Sequence, residues 1–118
     1  MGSGDISVLQ VIAQGTCNGA HGALVTVATG AVVASPGVGG TAGTYTITCD
    51  PGLPGDNSDA AHARVMITVL GGAAGANANG IVKAVVGGQL QIQFTTQVLG
   101  GAAADEAFDF IIWRDPAN

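Results

Sequence analysis

The sequence predicts an all-β chain: a single antiparallel β-sandwich or jelly roll of about eight short strands over residues 1–118. Three observations predict it. Apolar residues recur at every second position in several segments, the period of a strand with one buried face. Glycine-containing pairs (Thr29-Gly30, Gly39-Gly40, Gly71-Gly72, Gly87-Gly88, Gly100-Gly101) cut the chain into short pieces. No segment sustains a capped helical repeat of apolar residues; the best is a single turn at Ser58–His62, with Ser58 or Asp59 as its cap.

In chain order, the first strand is expected at Ile6–Ala13, preceded by residues 1–7 as a candidate N-terminal arm. Short apolar runs predict strands at Leu24–Ala28 and Ala31–Ala34. At Thr44–Cys49, Tyr45, Ile47 and Cys49 alternate with three threonines. Pro51 and Pro54 stiffen the irregular piece Asp50–Asp59 that follows. Ala63, Val65, Ile67 and Val69 form the next stripe, and Ile81–Val86 the one after. Gly87-Gly88 reads as a two-residue hairpin turn into Gln89–Thr96, where Leu90, Ile92 and Phe94 alternate with Gln89, Gln91 and Gln93. The last strand sets Phe108, Phe110 and Ile112 against Asp109, Ile111 and Trp113. Tyr45, Phe94, Phe108 and Phe110 are the expected core anchors.

Composition narrows the partners. The chain is 47% apolar and 9% charged, whereas an ordinary soluble domain is about 25% charged. Its surface is therefore made of small and amide side chains, either because neighbouring subunits cover it or because the composition simply tolerates few charges. The net charge of −5 leaves Arg64, Lys83 and Arg114 as isolated cations, too few to track phosphates on nucleic acid or on an anionic membrane. No apolar run approaches the roughly 18 residues of a spanning helix. The start of the chain lacks the basic segment of a secretory signal, and Ile6 stands where myristoylation needs Ser or Thr. The glutamine stripe Gln89, Gln91 and Gln93 has two readings: an assembly surface that bonds across subunits without burying charge, or a merely polar exposed face.

Chemical motifs are sparse. His21 and His62 are the two histidines, and no cysteine-enzyme signature surrounds the Cys17/His21 pair. Asp50, Asp56 and Asp59, and likewise Asp105, Glu106 and Asp109, are not spaced to face one another across a cleft. Asp56-Asn57-Ser58-Asp59 offers oxygen ligands of the kind calcium takes, but without the EF-hand spacing; turn composition explains it as well. Gly37–Ala42 matches a loose dinucleotide pattern but runs into a strand, where that site needs a helix. The reading is therefore a non-enzyme with no cofactor, metal or catalytic residue. Cys17 and Cys49 each end a strand; they are either two small buried hydrophobes or one disulfide.

The Gly43-x-Tyr45-x-Ile47 strand, the strand Ala63–Val69, the hairpin Gln89–Thr96 and the closing Asp105-x-x-Phe108-x-Phe110 occur in an order that resembles small β-sandwich domains of tailed-phage virion proteins: capsid decoration proteins, head fibres and tail-fibre tips. The resemblance spans about Ile6 to Trp113. Cys49 departs from it, standing where an aromatic is often found. The resemblance implies a structural virion protein that trimerises and binds the major capsid or another virion protein. The resemblance further implies that such a protein is made in the bacterial host's cytoplasm and displayed on the virion surface. The chain has no shaft or coiled coil, which favours a decoration (cement) role. The alternative is a receptor- or glycan-binding tip of a phage fibre or bacterial surface protein.

Overall fold

The computed structural model describes residues 10–20, 23–35, 42–50, 63–70, 75–98 and 100–114. These contain eight strands: β1 (Gln10–Cys17), β2 (Thr26–Thr29), β3 (Ala31–Ala34), β4 (Thr44–Cys49), β5 (Ala63–Val69), β6 (Asn77–Val86), β7 (Gln89–Gln97) and β8 (Phe108–Arg114). There is no helix among the described residues. The turn expected at Ser58–His62 and the arm at 1–7 lie outside them.

The strands form two four-stranded sheets, ordered β2-β1-β8-β5 (sheet I) and β3-β4-β7-β6 (sheet II), with every pairing antiparallel. Of the two architectures left open by the sequence, this is the sandwich. The period-two stripes decide which faces meet. Cys17, Phe108, Phe110 and Ile112 of sheet I are buried with Ala31, Val33, Tyr45, Ile47, Cys49, Leu90, Ile92 and Phe94 of sheet II. At the centre, Phe108 lies 4.9 Å from the rings of both Tyr45 and Phe94, edge-on to the latter, so aromatic contact ties the two layers together.

The strand order makes the chain cross between sheets four times, and two of these crossings, β2 to β3 and β7 to β8, are defined by described residues. Gly30 alone separates β2 from β3, with φ +80°; a Cβ there would lie 2.3 Å from the Ile12 carbonyl oxygen. The other of the two, 98–107, runs from β7 to β8. It is held by Val98 N–H to Ala102 O (3.0 Å), Ala104 N–H to Thr96 O (3.1 Å) and the Thr96 hydroxyl to Ala104 O (2.6 Å). The predicted hairpin turn is present: Gly87 and Gly88 both have positive φ, as a two-residue turn between twisted strands requires.

Three strands differ from the sequence expectation by more than one residue at a boundary, and residues 6–9 of the first expected strand lie outside the described residues. The first strand continues through Gly15 to Cys17. A register shift between Val11 and Ala13 turns both Ile12 and Ala13 inward, which breaks the alternation there. Beyond it, Gln-Gly-Thr carries no apolar stripe; Gly15 is instead where β2 packs closest, since a Cβ would meet that of Ala28 at 2.6 Å. The second strand is Thr26–Thr29 instead of Leu24–Ala28, because its length is set by pairing with β1. The sixth begins at Asn77, four residues before the expected start. Asn77-Ala-Asn-Gly has turn composition, yet its first three residues pair with Thr95–Gln97, and a bulge then restores register at Val82.

Candidate assembly surface

The outer face of sheet II follows from the same alternation. With Tyr45, Ile47, Leu90, Ile92 and Phe94 turned inward, their neighbours turn outward, and the register aligns them in rows. One row reads Val32, Thr48, Gln91, Ala84; the next Ala34, Thr46, Gln93, Val82; a third Thr44, Thr95, Asn79. None of these side chains is charged. Gln93 is exposed, and Gln89 and Gln91 are half-buried. The structure thus brings the three predicted glutamines onto one face and surrounds them with threonine, alanine and valine. Gln89 sits at the rim, its amide donating to the Cys49 carbonyl at 3.0 Å. Near the opposite end, Asn79 donates to the Gln97 side-chain oxygen at 3.3 Å.

The outer face of sheet I is different. Asp109 accepts from the Thr16 hydroxyl at 2.5 Å, and Arg64 lies beside Trp113 in register. A shallow depression of about 310 Å³, lined by Gln14, Gly15, Thr16, Asp109, Phe110 and Ile111, opens on this face. It sets one carboxylate beside one hydroxyl. Among the described residues, no group of three or more His, Cys, Asp or Glu side chains is placed to hold a metal. His21, His62 and 51–59 of the candidate calcium loop lie outside the described residues.

Both cysteines are buried free thiols, one at the end of a strand in each sheet. Cys17 accepts from Gly19 N–H (3.4 Å) and the Thr26 hydroxyl (3.5 Å). Burial, aided by the Asp50 charge, pushes the Cys49 thiol up to about 11. A thiol held protonated is a poor nucleophile, because the thiolate is the reactive form.

The four expected anchors are all buried. Tyr45 also has a polar role that its aromatic class alone does not show. Its hydroxyl donates to Gly19 O at 2.6 Å and lies 3.4 Å from Asp105 Oδ1, which in turn accepts from Gly43 N–H at 2.6 Å. Burial first, and the Asp105 charge second, push the phenol up to about 12. Asp105 therefore fastens the β7–β8 crossing to the start of β4; the Gly-x-Tyr and Asp-x-x-Phe motifs meet at one corner of the sandwich. No known protein family, curated protein or solved structure matches the chain.

Proposed function

We propose that the chain is a non-enzymatic structural protein of a bacteriophage virion, a capsid decoration protein that self-associates and binds the shell through the outer face of sheet II. The observation that carries this reading is the absence of charge from the rows around Gln91 and Gln93, in a chain whose net charge is −5. Like-charged copies repel least where they present no charge. A face of threonine and glutamine also loses less on leaving water than ion pairs do, and its amides and hydroxyls re-form hydrogen bonds across the contact. Binding the assembled shell but not its free subunits then stabilises the shell by mass action. The motif order supplies the virion context and a trimer as the expected oligomer, with the major capsid protein as partner.

The test is a paired substitution, Gln91→Glu with Gln93→Glu, which puts two carboxylates in adjacent rows. The parent chain is expected to have the mass of a whole multiple of three chains by light scattering, six where trimers pair further through a two-fold contact, and to co-sediment with shells of the phage that encodes it. The variant is expected to lose at least tenfold in shell affinity, while its unfolding free energy stays within about 0.5 kcal/mol of the parent, as for most surface changes. Undiminished shell binding by the variant overturns the assignment of this face.

A further inference from the structure

Among the described residues the sandwich has four edge strands, and they are not protected alike. On one side, β6 is interrupted by a bulge between Asn79 and Val82 and carries Lys83, whose ammonium reaches the Ala63 carbonyl of β5 at 2.6 Å; β5 itself carries Arg64. Bulges and cations are the usual devices that stop a sheet edge from pairing with another chain. On the other side, β2 and β3 have neither. From Leu24 to Ala34 there is no charge, no proline and no bulge, and Val25, Val27 and Val32 are 61%, 77% and 64% exposed.

The β1–β2 ladder fixes which backbone groups of β2 are not used by any described strand. Asn18 N–H donates to Val25 O at 3.0 Å, so Val25, and by alternation Val27 and Thr29, turn their backbone groups toward β1. Thr26 and Ala28 turn theirs away from it. A second β2 running antiparallel meets this edge with complementary geometry: Thr26 pairs with the copy's Ala28, and the converse, about a two-fold axis through Val27. The two Val27 side chains then stand directly opposite in a non-hydrogen-bonded pair, where Cα atoms are about 4.5 Å apart. That buries the valine with the greatest exposure among the large apolar residues of the described chain.

We infer that β2 is a homotypic pairing edge: two copies of this chain join antiparallel through Thr26–Thr29, fusing their β2-β1-β8-β5 sheets into one eight-stranded sheet. A second copy fits because the contact is isologous, each copy offering the same open donors and acceptors. No charge on the strand opposes itself across the axis. The contact is separate from the outer face of sheet II and does not depend on it.

Cysteine scanning tests this. Cys17 and Cys49 are buried, so a single exposed cysteine dominates mild oxidation. Val27→Cys is expected to give a disulfide-linked dimer as the main product on a non-reducing gel. Met66→Cys, 54% exposed on the guarded edge β5, is expected to give at least fivefold less. Val27→Lys sets two ammonium groups face to face and is expected to weaken the pair at least tenfold by sedimentation, with Val27→Thr near the parent. Absence of a Val27→Cys dimer, or equal cross-linking of both cysteine variants, overturns the proposal. The Val27→Cys cross-link is expected to persist in the Gln91→Glu/Gln93→Glu background; its loss there would assign the contact to the sheet II face and overturn the edge pairing.

Discussion

Tyr45 concentrates the polar energetics of the core in one side chain. Its hydroxyl is the partner of the buried Gly19 carbonyl, so Tyr45→Phe leaves that oxygen unpaired at little cost in packing. The expected loss is about 1–3 kcal/mol in urea unfolding. A change below 0.3 kcal/mol would mean that water replaces the bond. The same burial gives a pH dependence. Tyr45 and Cys49 have folded values of about 12 and 11, above their ordinary 10.0 and 9.0. Raised acids keep their proton in the fold, so the unfolded chain ionises first. Their contribution to stability is complete below about pH 9 and is lost as pH rises from there to about 12. Tyr45 is the sole tyrosine, so ultraviolet titration reads it without overlap. The midpoint is expected near 12, or to coincide with alkaline unfolding; a midpoint at 10 in the folded chain contradicts the burial argument.

Among the elements, the corner at Gly30 and the turn at Gly87-Gly88 make opposite predictions for the same kind of change. Both have positive φ, but only Gly30 is walled in, by the Ile12 carbonyl. Gly30→Ala combines left-handed strain with a clash, and roughly 1–3 kcal/mol of destabilisation is expected from the backbone alone. Nothing lies within 4 Å of the Cβ position at Gly87. Asn tolerates left-handed backbone in a two-residue hairpin, so Gly87→Asn is expected to stay within about 0.5 kcal/mol of the parent. Thermal melts of the two variants separate the cases. Strands with a clean alternation, β3, β4 and β5, are legible to the residue. Those that depart from it, β1 at its bulge and β6 at its Asn-Gly start, are not. Local patterning encodes which face is buried; a bulge is imposed by the partner strand.

Across the whole molecule, the two sheets are joined by one aromatic centre, and the surface is divided by charge. Phe108 touches Tyr45 and Phe94 of the opposite sheet, so Phe108→Ala opens a cavity that both layers line. A loss of about 3–5 kcal/mol is expected, enough to unfold a marginal sandwich. Chemical denaturation checks it, with Val11→Ala on the outer face of sheet I as an exposed comparison expected to stay under 1 kcal/mol. The charge division is a property of the assembled fold. Arg64 and Asp109 both lie on the outer face of sheet I, opposite Trp113 and Thr68 respectively, while residues from four separate strands make an uncharged face on sheet II.

By itself, the sequence determined the fold class, the inward stripes and the Gly87-Gly88 hairpin, because these depend on residues close together along the chain. It also put Gln89, Gln91 and Gln93 on one side of one strand. The tertiary structure decided the strand order and the meeting of Tyr45 with Asp105. It alone showed that threonines of β4 and small apolar residues of β3 and β6 flank the glutamines, and that among the described strands β2 pairs with β1 only. Those outcomes rest on pairings between segments up to about a hundred residues apart, such as Cys17 with Phe108. Such register is chosen by the collective burial of both faces, which no single stretch of chain encodes.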